Sequence, residues 1–301
     1  MAAQLRLVRR RISTVQSIQK ITRAQELIAS SRIVRAQQQM RAAEPYAREL
    51  TRAVEAVISR STNVTHPFTE EPENPTRAAV LILTSDQGFA GAFNANVLRE
   101  STRLRQTLQD RGLEPVLYVA GRKGIGWHRF RELELADSWS GFSAAPKYSD
   151  AQKITTVLLE AFNAEEGGVD EVHLVSTEFV SMLTQRPAAR RLLPLEIEET
   201  DEPSPHGPLP SYEFEPGPAE VLDALMPQYV AARIFYAMLE AATAEMASRR
   251  RAMKAATDNA GDLIEQLTRE ANNARQAEIT QEISEIVGGA NALAGASATS
   301  E

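Results

Sequence analysis

The chain has 301 residues, 43% of them hydrophobic but only 6% aromatic, which suits a helix-rich protein with material for two ordinary domains. It has no cysteine, which excludes disulfides and thiolate chemistry, and no run of about eighteen apolar residues that would span a membrane. The net charge of -7 is unevenly placed: residues 1–60 carry twelve Lys and Arg against four Glu, so the rest is acidic and the two ends attract each other or a common partner.

Residues 1–60 read as one helix. Leu5, Val8, Ile12 and Val15 form a heptad seam, and Ile18, Ile21 and Ile28 are expected to continue it after a slip in register. Its polar face holds Arg6, Arg9, Arg10, Arg11, Lys20 and Arg23, and no acid precedes Glu26. A mitochondrial transit peptide is also Arg-rich and acid-poor, but here the helical pattern continues past Glu26 without a cleavage-like change of character. The acidic total and the lack of interleaved aromatics argue against a nucleic-acid-binding arm. Pro45 is a candidate kink.

The Pro- and Asn-rich stretch Ser61–Thr76 marks a boundary, and a globular α/β domain is expected over 77–200. Its units alternate. Ala78–Leu83 is an apolar run of strand length, followed by the loop Thr84–Asn94 and a helix to about Arg111. Pro115–Val119 is a second strand, with Gly121, Gly124 and Gly126 in the turn after it. A helix near Asp150–Phe162, a strand Glu171–Thr177 and a short strand near Leu192–Ile197 complete a small, mostly parallel, Rossmann-like sheet covered by helices. The segment Asn163–Val169 reads as a loop addition.

After a Pro-rich acidic break at Thr200–Pro218, a second long helix is expected over 218–287, stopped by Gly288-Gly289. Phe235, Leu239, Ala242, Met246, Arg249, Met253, Ala256, Ala260, Leu263 and Leu267 alternate in steps of four and three, a heptad seam with one charged intruder. At 1.5 Å per residue the helix is a rod on the order of 100 Å long. The two heptad-bearing ends are best satisfied as an antiparallel coiled coil with the α/β insert as a knob. After Leu267 the stripe drifts to Ile279, Ile283 and Ile286, as if the tip faced something larger.

Little in the chain points to catalysis. The loops Ser85–Asn94 and Gly121–Gly126 sit where phosphate is bound in α/β folds, but both lack the dinucleotide and phosphate-loop spacings. His66, His128, His173 and His206 have no metal-ligand spacing, and Ser85-Asp86 has no nearby histidine for a triad. Glu165-Glu166 and Glu198-Glu199 read as solvated charge. Arg249-Arg250-Arg251 and Lys254 form a basic cluster, with Arg249 on the seam, where a charge needs a partner or a route to solvent.

Three stretches resemble one family in the right order. Arg9–Ala24 (RRRISTVQSIQKITRA), the loop Ser85–Asn94, and Met253–Ala260 with Asn273–Ala290 (MKAATDNA and NARQAEITQEISEIVGGA) are similar to signatures of the gamma subunit of F-type ATP synthase. The resemblance covers essentially the whole chain. It implies a non-catalytic rotor shaft running up the hexamer of alpha and beta subunits, with the α/β insert as a foot on the epsilon subunit and the ring of c subunits. It implies one copy per complex, no cofactor, and a peripheral place on the cytoplasmic face of a bacterial cell membrane. By the same resemblance, Arg275, Gln276, Thr280, Lys20, Arg249 and Lys254 face the hexamer, and Tyr212, Phe214 and Glu215 belong to the foot contact. Gln25, Leu27, Arg250, Gln87, Phe89 and Ala92 depart from the family pattern, which bears on the fit to neighbours rather than on the role. The alternatives are an α/β nucleotide-binding enzyme dimerised by its helices, and a static coiled-coil scaffold.

Overall fold

In the computed structural model, which describes residues 2–60, 66–195, 215 and 217–298, the order of elements is α1 (Ala2–Arg60), β1 (Arg77–Leu83), α2 (Phe93–Asp110), β2 (Glu114–Ala120), α3 (Arg122–Phe130), β3 (Asp137–Trp139), α4 (Tyr148–Phe162), β4 (Glu171–Phe179), β5 (Gln185–Leu193) and α5 (Pro218–Ala298). They divide into two compact units. One comprises Met1–Ile28 with Arg251–Glu301, the other Ala29–Arg250.

In the larger unit the sheet order is β3-β2-β1-β4-β5. The apolar run of β1 takes the centre, parallel to β2 and β4, because only a strand covered on both faces can be apolar at every position. Its residues divide by parity. Ala79, Leu81 and Leu83 join Ile154 and Leu158 of α4, Val54 and Val57 of α1, and Leu222, Met226 and Ile234 of α5. Ala78, Val80 and Ile82 face Val97 and Leu108 of α2 and Ile125 of α3.

Three local readings change. The Gly121–Gly126 turn is the N-cap and first half of helix α3: Gly121 caps it, and Gly124 admits the close approach of Thr84 without stopping it. The short β3 has only three residues, too few for a periodic signal. The last strand, expected near 192–197, begins at Gln185 and runs antiparallel to β4 as an edge, so its polar face hid it. Residues 196 and 197 lie outside the described residues.

A buried ionic cluster closes one end of β4. Glu171 Oε2 lies 2.7 Å from His173 Nε2 and accepts from Arg111 Nη1 at 3.2 Å, while Oε1 accepts from Arg111 Nη2 at 2.5 Å. Burial pushes the Glu171 carboxyl up, but hydrogen bonds and charge from His173 and Arg111 outweigh it and hold it at about 2, against an ordinary 4.5. A depressed carboxylate stabilises the fold above its unfolded value and loses that contribution as pH falls from 4.5 towards 2. Thermal melts of Glu171→Gln should lack this acid limb, with a cost at pH 7 of about 1–2 kcal/mol, discounted because Arg111 is half-exposed. A wild-type melting temperature that is flat between pH 4.5 and 2 would contradict the assignment.

In the smaller unit α1 and α5 pack antiparallel. Leu5 and Val8 meet Leu267 and Ala271, and further along α1 the Thr22 hydroxyl accepts from Thr257 Oγ1 at 2.8 Å. The inward row of α1 keeps strict heptad phase through Leu5, Val8, Ile12, Val15, Gln19, Thr22 and Glu26, and in the larger unit Ala29, Ile33 and Ala36 hold the same phase. The register slip onto Ile18, Ile21 and Ile28 therefore does not occur. Those residues are 49%, 59% and 52% exposed, and polar side chains hold the seam beside them. On α5, Leu263 of the expected seam is 41% exposed and Ile264 turns partly inward instead. Neither Pro45 nor Gly288 ends its helix: α1 runs through the first, and α5 continues to Ala298 on Ala-rich sequence.

Candidate functional site

The loop between β1 and α2 is held from inside. Ser85 N–H donates to Asn94 Oδ1 at 2.9 Å, and Asn94 Nδ2 donates back to Ser85 Oγ at 2.8 Å. Asp86 accepts backbone N–H groups from Arg122 at 3.1 Å, Gly141 at 2.8 Å and Ser143 at 3.0 Å. Burial pushes the Asp86 carboxyl up, but these donors outweigh it and hold it below the usual carboxylate range. The Ser85 hydroxyl donates to Gln87 O at 2.7 Å. Serine and aspartate are thus both engaged with backbone, not with a histidine.

The start of α3 is occupied in the same way. Lys123 N–H donates to Ser85 O at 3.0 Å and Gly124 N–H to Thr84 Oγ1 at 3.0 Å. A phosphate at this helix start would need those same N–H groups, so both glycine loops act as tight joints between strands and helices. Of the histidines, His66 lies 3.1 Å from Asp223, His128 Nδ1 donates to Gly124 O at 2.9 Å, and His173 is bound to Glu171. His206 lies outside the described residues, as do Glu198-Glu199.

Arg249 departs from the expectation that it faces outward. It is 7% exposed, with Nη2 2.7 Å from Glu245 and donating to Gln87 O and Gly88 O, each at 3.1 Å. The seam position forces the guanidinium inward, and there the loop carbonyls and the buried Glu245 receive it.

The other expected contact residues are on the surface. Lys20, Arg275, Gln276 and Thr280 are exposed, and Lys254 is exposed while reaching Asp258 at 3.0 Å. Glu215 is exposed; Tyr212 and Phe214 lie outside the described residues. The added segment 163–169 is tied down by Arg77, whose guanidinium donates to the carbonyls of Gly167 and Gly168, leaving Glu165 and Glu166 in solvent.

One feature escaped the sequence reading. Leu7, Ile18, Ile21 and Ile28 lie on a second heptad row of α1, one residue ahead of the seam, and all four are exposed. Beside its start a groove of about 600 Å³ runs between Leu7, Arg11 and Thr14 of α1 and Leu263, Gln266 and Glu270 of α5. The available signal was phase: Gln19, Thr22 and Glu26 continue the spacing of Leu5 to Val15 without a break.

A family model described as ATP synthase matches residues 4–293. The ATP synthase gamma chain of Thermobifida fusca is 59% identical over 306 residues, covering 100% of both chains. The chain belongs to the ATP synthase gamma-chain family. The gamma chain of Acidothermus cellulolyticus is 60% identical, over 97% of this chain and 98% of the relative. Among solved structures, the rotor of the Euglena gracilis mitochondrial ATP synthase superposes with a TM-score of 0.67 at 14% identity, over 93% of this chain and all of that one. The central stalk of the Tetrahymena thermophila mitochondrial enzyme gives 0.57 at 19% identity, over 78% of this chain. At those identities the structural likeness establishes the fold: an α/β domain plus long paired helices. Gamma-chain membership makes this a non-catalytic subunit.

Proposed function

We propose that this chain is the central rotor shaft of an F-type ATP synthase, turned by a membrane ring of c subunits and driving the three catalytic sites of an alpha/beta hexamer in sequence. The observation that carries this reading is the exposed apolar row of α1. A two-helix coil needs one buried seam, yet α1 carries a second, Leu7-Ile18-Ile21-Ile28, which is left in solvent. Such a row fits a surface that bears against an enclosing partner. Ile279, Ile283 and Ile286 of α5 are exposed in the same sense, beyond the stretch where Leu5 and Val8 cover that helix.

The physical requirement on a shaft is asymmetry. A rod can make three equivalent sites inequivalent only by contacting them differently, because a ligand shifts an equilibrium by its differential affinity for the states. Here α1 presents apolar side chains flanked by Arg10, Arg11, Lys20 and Arg23, while α5 presents Lys254, Arg275, Gln276 and Thr280. Polar contacts of this kind are individually weak enough to exchange as the rod turns. Glu215, just before α5, would belong to the foot on the epsilon subunit and c-ring. Among the described residues no helix is long and apolar enough to cross a membrane, so the chain would meet the cytoplasmic face of the cell membrane through the c-ring.

Reconstitution tests the reading. Mixed with alpha and beta subunits in vitro, the chain should restore ATPase activity at a stoichiometry of one per hexamer. Failure to do so, or stoichiometric nucleotide binding by the chain alone, would overturn it.

A further inference from the structure

We propose that Arg249 is the positioning residue that locks α5 to the α/β layer, so that torsion arriving through the foot enters the shaft helix at this turn. The inference rests on the shaft reading and deepens it. Above Arg249 the β1–α2 loop lies on α5 through Ala90 and Phe93 against Ala241 and Ala244. Earlier on α5, Leu222, Met226 and Ile234 interdigitate with the core, but at Ala241 and Ala244 the helix offers a smooth surface, where dispersion contacts resist separation more than rotation about the helix axis. Directional bonds supply what the alanines lack. Arg249 Nη2 donates to the carbonyls of Gln87 and Gly88 on the loop and Nε also reaches Gly88 O at 3.3 Å, while Glu245 one turn back on α5 stands 2.7 Å away as the counter-charge.

The loop is a firm anchor, since Asp86 is fastened by three backbone N–H groups from two other segments and Ser85 by Asn94. Its place in the chain is also telling. The larger unit ends at Arg250, so the bonds of Arg249 to the loop lie in the last turn of α5 that belongs to this unit. Stability alone does not account for it, because a buried ion pair on a heptad seam contributes no more than a well-packed apolar residue would. A directional lock is what an apolar residue cannot provide.

The test uses full complexes in inverted membrane vesicles and the double variant Arg249→Met with Glu245→Gln, which removes the lock without leaving a buried charge unpaired. Its isolated chain should melt within a few degrees of wild type, while amides of residues 85–94 exchange at least tenfold faster. The complex should keep at least half of its ATP hydrolysis but pump at least threefold fewer protons per ATP. Arg249→Lys, which keeps the charge beside Glu245, should recover part of that ratio. An unchanged ratio, or hydrolysis and pumping falling together, would overturn the lock. Unchanged amide exchange in the isolated chain would overturn it independently of rotor function. A wild-type chain that fails to couple in the same vesicles would instead refute the shaft reading, and the lock with it.

Discussion

Replacing Ile18, Ile21 and Ile28 together by Ser should leave the isolated chain folded yet weaken its assembly with alpha and beta subunits by two to three orders of magnitude. The three side chains are 49%, 59% and 52% exposed, so the fold loses little when they go; surface changes of this kind are typically worth within about 0.5 kcal/mol each. Against an enclosing partner the same side chains would each be buried. Full burial of an isoleucine contributes about 1.5–3 kcal/mol, and these begin half-covered, so about 3–4 kcal/mol is at stake in total. At about 1.4 kcal/mol per tenfold, that is the stated loss. Melting of the isolated chain and titration of the chain into alpha/beta mixtures, read by ATPase, are the two measurements. An unchanged titration midpoint would remove the bearing-surface argument. A collapse of the melting temperature would mean that these residues form the seam after all. Leu267→Ser is the control with the opposite signature: Leu267 is buried against Leu5 and Val8, and its loss should cost the isolated chain about 2–4 kcal/mol.

Gly121→Ala should strongly destabilise the α/β layer. Gly121 sits at φ +106°, outside the range of L-residues, and a Cβ there would lie 2.2 Å from Thr84 O and 2.5 Å from Thr84 Oγ1. Neither side can retreat. Thr84 N–H donates to Ala120 O at 2.7 Å, its hydroxyl to Ala120 O at 2.9 Å, and Gly121 N–H to Trp139 O at 2.8 Å. Backbone strain and overpacking together cost about 3–5 kcal/mol, or roughly a 10–15 °C fall in melting temperature. Gly126→Ala, five residues on, is the counterpart: nothing lies within 4 Å of the added Cβ inside helix α3, and the change should stabilise by about 0.5–1 kcal/mol. Equal effects at the two positions would show that the close approach at Gly121 is not what its glycine serves.

These pairs show where the sequence was legible. The apolar run Ala78–Leu83 dictated a central strand, because a segment with no polar face must be covered twice. The alternation of strands and helices dictated a mostly parallel sheet, which holds for β1 to β4. The edge strand β5 was misplaced and β3 missed because an edge is half-polar and three residues carry no period. Among candidate contact residues, Lys20, Lys254, Arg275, Gln276 and Thr280 lie at the surface, as their polar sequence context suggested. Arg249 does not, because its surroundings come from the β1–α2 loop, some 160 positions away in the chain.

What the sequence determined by itself is the pair of long heptad-bearing helices at the chain ends and the α/β insert between them. Heptad spacing and β-type runs are local properties, read within a few turns or one strand. Only the tertiary structure decided which of two adjacent rows on α1 is the seam. Hydrophobicity favours Ile18, Ile21 and Ile28, yet Gln19, Thr22 and Glu26 occupy it, because a helix paired along its length must keep one phase, with Thr257 of α5 donating to Thr22 and Gly261 leaving room for Gln19. The isoleucines that lost that competition are left exposed, and they form the bearing surface proposed above.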